Sequence, residues 1–117
     1  MPVQELKTQK CAPCEGGTPP LSEAEAGALL KQLSGWQFTP DKKGIFKTFR
    51  MKDFSAAIEF MRKIADVANR EDHHPDLHLT GYRNLRIELS THSIGGLSQN
   101  DFIVAAKIDE LPKDLKQ

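Results

Sequence analysis

The stretch from Asp53 to Thr91 restricts the fold more than any other part of the chain. Asp53 is suited to cap a helix, and Phe54, Ala57, Ile58, Met61, Ile64, Ala65 and Ala68 follow it at the three-and-four spacing of one helix face. Arg62, Lys63 and Asp66 fall on the opposite face. The pattern predicts a helix from Asp53 to about Arg70, with Pro75 just beyond its end as a stop. The period then changes to that of a strand. Leu77 to Thr80 reads as one short strand, and Leu85 to Thr91 as a second, with Leu85, Ile87 and Leu89 alternating against Arg86, Glu88 and Ser90. A one-sided helix followed by a one-sided hairpin buries both apolar surfaces only by laying the helix on the sheet.

The first half of the chain repeats this pattern of elements, without repeating the sequence. Ser22 with Glu25 three residues later has the form of a capping box, ahead of Ala26, Leu29, Leu30 and Leu33 on one helical face, and Gly35 ends that helix. Trp36 to Phe38 and Ile45 to Met51 read as strands joined by the Thr39 to Gly44 turn, which contains Pro40 and Asp41. Phe46 and Phe49 lie on opposite faces of the second strand, so one face is expected against the helices and the other is open to a second subunit. Ser98 and Asp101 open a last helix, which Leu111-Pro112 ends. Phe102 to Ala106 is apolar on every side of that helix, which suggests a contact between subunits.

The expected fold is therefore α+β, in the order αββαββα: a four-stranded antiparallel sheet with three helices packed on one face. Residues 21–112 form the expected domain, after an N-terminal arm, residues 1–20, and before a short tail, residues 113–117. The arm carries Cys11 and Cys14 as a lone C-x-x-C. A structural zinc site needs four ligands and a thioredoxin-type pair opens a helix after a strand, so the arm reads as functionally silent.

Charge narrows the function. Sixteen Lys and Arg balance sixteen Asp and Glu, so the basic excess of a nucleic-acid binder is missing and self-repulsion does not oppose association of copies. No apolar run is long enough to span a bilayer, and the expected location is cytoplasmic.

All four histidines lie between Glu71 and His92, as His73, His74, His78 and His92. An imidazole titrates at roughly 6.5, so such a cluster can give and take protons near neutral pH. Hairpin pairing of the two strands after the long helix returns His92 to the end where His73 and His74 sit, which makes a concave site. His78 falls outside this convergence. Histidines that merely cap the helix, or a metal site built from His73 or His74, His92 and a carboxylate, remain alternatives. Asp101 can cap its helix and orient an imidazole at once.

The run His73-His74-Pro75, with Tyr82, His92 and Asp101 after it, resembles the pterin-4a-carbinolamine dehydratases, as do Ile45-Phe46-Lys47, Lys52-Asp53-Phe54, Ser90-Thr91-His92-Ser93 and Gly96-Leu97-Ser98. The likeness spans about Leu21 to Asp109, and the arm is similar to that of bacterial members. It implies the same αββαββα fold, a homodimer or homotetramer, and loss of water from 4a-hydroxytetrahydropterin to give quinonoid dihydropterin. That reaction recycles the pterin after an aromatic amino acid hydroxylase, and the family uses no metal or cofactor of its own. By this resemblance His73, His74 and His92 are the catalytic set, and Asp72, Pro75, Ser90, Thr91, Ser93 and Asp101 contact substrate. The family often has an acidic residue where this chain has Asn69, with Glu71 and Asp72 close by. A dimerisation module without activity and a metal-assisted hydrolase using His73, His92 and Asp101 are the competing classes.

Overall fold

The computed structural model describes residues 6–12 and 19–117. Three helices, α1 (Glu23–Leu30), α2 (Phe54–Glu71) and α3 (Gln99–Glu110), accompany four strands, β1 (Gln37–Phe38), β2 (Ile45–Arg50), β3 (Asp76–Thr80) and β4 (Asn84–Leu89). The strands form one antiparallel sheet in the order β1-β2-β4-β3. Both expected hairpins are present, and the two halves join where β2 pairs with β4 from Ile45↔Leu89 to Arg50↔Asn84.

Alternation along the strands sorts the sheet into a buried and an open face. Ile45, Phe49, Leu85, Ile87 and Leu89 are buried, and Thr48, Arg50, His78 and Thr80 are exposed. Phe49 meets Phe60 of α2 edge to face, with ring centroids 5.2 Å apart. Phe46, on the other face, lies beneath the Arg86 guanidinium, 3.9 Å from its ring centroid.

The helix starts follow the sequence closely. Ser22 and Glu25 make a reciprocal capping box, and the Asp53 carboxylate accepts from the Ala56 amide. Two expectations about helix faces fail. In α2 the buried residues are Ala57, Phe60, Ile64, Val67 and Ala68, while Phe54, Ile58 and Ala65 are exposed. The helix has two neighbouring apolar rows, and the one that carries Phe60 packs inward, with Phe60 against Phe49. In α3 the apolar residues from Phe102 to Ala106 are all buried within the single chain, so they need no second subunit to cover them.

Part of that cover comes from the arm. Leu6 lies in a short 3-10 turn, Leu6–Thr8, that packs on α3 and leaves its side chain 4% exposed. Lys7 pairs with Glu110, and the Gln99 side-chain amide donates to Gln9. Residues 6–12 are thus part of the fold rather than a loose extension; Cys14 lies outside the described residues. The C-terminal tail is also engaged: the Lys52 amide donates to Asp114 and the Lys116 amide to Arg50. Trp36 precedes β1 instead of starting it, is buried, and donates from its indole to Asp109. β4 ends at Leu89, so Ser90 and Thr91 begin the loop to α3.

Candidate active site

The end of α2 sets the site. Asp72 closes the helix in the left-handed region, φ 52°, a conformation that Asp tolerates better than most residues. The chain turns there, and the His73 imidazole reaches the start of α3, where its Nε2 lies 2.6 Å from Asp101 Oδ1.

Asp101 is wholly buried and has no contact with water to offset its charge. Hydrogen bonds provide the compensation. Its Oδ2 accepts from the Thr91 hydroxyl at 2.8 Å and from the Ser98 amide at 3.0 Å, and Ser98 Oγ lies 2.8 Å from Thr91 Oγ1. Since a carboxylate only accepts, the network places a His73 proton on Nε2. His73 opens on a cavity of about 320 Å³, within the size range of small-molecule sites, lined also by Asp72, Ser93, Cys11 and Ala12.

The other histidines stand apart from this chain of bonds. The exposed His74 donates from Nε2 to Asn69 Oδ1 at 3.1 Å, so the residue in place of the family's usual acid holds a histidine. His92 begins a 3-10 turn, His92–Ile94, and is exposed. Together with Ser90 it lines an adjoining cavity of about 470 Å³ that includes Asp76, Arg86 and Glu88. Thr91 lines the His73 cavity and has its hydroxyl committed to Asp101. Pro75 is half-buried just before β3, and His78 faces out from that strand, 3.9 Å from Glu88. His73 and His92 thus line different cavities. Among the described residues, no three His, Cys, Asp or Glu side chains converge to hold a metal ion.

Sequence reading missed one wall of the His73 cavity. The buried Glu71 accepts the Cys11 amide on Oε1 at 3.0 Å and has Lys107 Nζ 3.7 Å from Oε2. Burial, then the Glu71 charge, push the Cys11 thiol up to about 12, so it stays protonated at neutral pH. The arm shows no helical or strand period, so nothing local marked Cys11 and Ala12 as lining residues.

The family profile for pterin 4 alpha carbinolamine dehydratase matches residues 19–111. The chain belongs to the pterin-4a-carbinolamine dehydratases. Among relatives, a Nitrosomonas europaea protein provisionally named a pterin-4-alpha-carbinolamine dehydratase is 53% identical over 95% of this chain and 96% of its own length. The mitochondrial pterin-4-alpha-carbinolamine dehydratase 2 of Arabidopsis thaliana is 44% identical over 93% of this chain and 60% of its own length. The crystal structure of a transcriptional coactivator/pterin dehydratase from Brucella melitensis superposes with a TM-score of 0.72 at 36% identity, covering 77% of this chain and 95% of that one. Membership makes this dehydratase a hydro-lyase, and the αββαββα order read from the sequence is the family's fold. Among the described residues, no helix is long and apolar enough to cross a membrane.

Proposed function

We propose that this dehydratase removes water from 4a-hydroxytetrahydropterin by histidine acid–base chemistry. The reading rests on one observation above others: an imidazole held at 2.6 Å by a fully buried carboxylate, at the edge of a small cavity. A proton goes to the C4a hydroxyl, the C4a–O bond breaks and water leaves. The N5 proton is withdrawn, and its electron pair forms the C4a=N5 double bond of quinonoid dihydropterin. An acid and a base that titrate near ambient pH serve both steps. His73 and His92 flank the 4a carbon, the exposed His92 turning towards the bound pterin, and protonate the hydroxyl, while His74, steadied by Asn69, positions the pterin and assists at N5. Asp72, Ser90 and Ser93 hold the polar edge of the ring, Pro75 shapes its approach, and Asp101 works through His73. The chemistry consumes no cofactor. The product's place is in tetrahydropterin recycling after an aromatic amino acid hydroxylase, in the cytoplasm.

The test follows the absorbance of freshly generated 4a-hydroxytetrahydropterin against its spontaneous decay. Wild-type protein accelerates the decay, and His73→Ala, His74→Ala and His92→Ala each reduce the acceleration. A folded wild-type protein that leaves the background rate unchanged overturns the proposal.

A second reading, a module that acts by self-association, is favoured by the row Phe54 and Ile58 on α2, which are 53% and 47% exposed. Covering these residues fits a homodimer or homotetramer. Light scattering on Ile58→Glu distinguishes an assembly on this face from a monomer.

A further inference from the structure

The segment carrying the C-x-x-C touches the site at the two points that matter most for His73. Glu71, two residues before His73, accepts the Cys11 amide. Asn100, one residue before Asp101, grips Ala12 from both sides: the Ala12 amide donates to Asn100 Oδ1 at 3.0 Å, and Asn100 Nδ2 donates to the Ala12 carbonyl at 2.5 Å. Asn100 is itself buried, and the Cys11 thiol lies 3.7 Å from its carbonyl. The paired bonds resemble one rung of an antiparallel ladder, with a side-chain amide in the role of the second strand. A carboxylate at position 100 would keep the acceptor and lose the donor.

We infer that the segment Cys11–Ala12 is a wall of the substrate cavity, and that Asn100 and Glu71 are positioning residues that hold it across the His73–Asp101 pair. The segment ties the C-terminal end of α2 to the N-terminal end of α3, the two elements whose separation sets the 2.6 Å contact. A bound molecule at His73 also faces Cys11 and Ala12, because they line the same cavity. The arm then acts through its backbone grip, with the protonated thiol serving as a small apolar filler. This inference rests on the dehydratase reading above.

The experiment uses full-length protein and 4a-hydroxytetrahydropterin, comparing wild type with Asn100→Leu, which removes both bonds to Ala12, and Glu71→Gln. Amide hydrogen exchange at Ala12 reports the grip, and thermal unfolding reports the fold. The expected result is faster exchange at that amide, with KM raised by about fivefold or more in Asn100→Leu, the size of at least one lost hydrogen bond. Glu71→Gln, which keeps an acceptor for Cys11, retains a KM nearer that of wild type. Two results overturn the inference: unchanged KM in a variant whose Ala12 amide exchanges freely, or a loss of activity that follows only the folded fraction. An active wild type with either result leaves the dehydratase reading intact, whereas a wild type without activity overturns both.

Discussion

The histidines are held on different terms. His73 is nearly buried and tied through Asp101 to Thr91 and Ser98, so its orientation is fixed before any molecule arrives. His92, by contrast, is exposed at the start of a short turn, and His74 is exposed with a bond to an exposed Asn69. A fixed imidazole contributes preorganisation, since its geometry costs no further ordering when substrate binds. A free one can follow the substrate but must be ordered by it. The same residue type is thus held in two ways within this region, and stability should separate what activity alone merges.

The sharpest break of this comparison is Asp101→Ala. It leaves His73, Thr91 and Ser98 without their shared acceptor in a buried site, and unfolding free energy by urea titration should fall by about 3 kcal/mol or more. A loss no greater than that of a surface substitution would remove the distinction between the histidines. His73→Ala comes next, because it leaves the buried carboxylate short of one donor. It should cost about 1–3 kcal/mol in the same titration and also reduce the dehydration rate. His92→Ala sharpens the contrast: stability within about 0.5 kcal/mol of wild type, but a rate lower by roughly a hundredfold. Asn69→Ala should have a smaller effect, about fivefold on kcat/KM with little change in stability, since it frees His74 without removing it.

At neutral pH the smallest effect concerns the wall, since its thiol acts on stability only in alkali. With its folded-state thiol raised to about 12 from 9.0, the protein holds a proton on Cys11 that the unfolded chain releases first. Folded protein therefore loses stability as pH rises from about 9 towards 12. Cys11→Ala should flatten that part of the stability curve. Iodoacetamide should label Cys11 slowly near pH 8 in a Cys14→Ser background.

What the sequence revealed, and what it concealed, follows from the range of the interactions. Ser22, Asp53 and the alternating Leu85, Ile87 and Leu89 are local signals, and each specified its element correctly. The inward row of α2 was not local. Phe54 and Ile58 are as apolar as Phe60 and Val67, and which pair is buried is settled by tertiary contacts such as that of Phe60 with Phe49. The same holds at the site. The spacing of His73, Pro75 and Asp101 was readable, and Asp101 was recognised as able to orient an imidazole. The grip of Asn100 on Ala12 joins residues 88 positions apart, and no pattern within either segment announces it. The all-round apolar α3 suggests a partner because a terminal helix in a small domain rarely buries every face alone, yet Leu6 of the arm supplies part of the cover.

The central claim is that Asp101 acts through His73 in dehydrating the pterin. A double-mutant cycle on kcat/KM, with His73→Ala, Asp101→Asn and the pair, measures this directly when each rate is normalised to folded protein. Asp101→Asn is expected to cost almost nothing further once His73 is gone. Independent losses that multiply in the double variant would contradict it and give the carboxylate a role of its own.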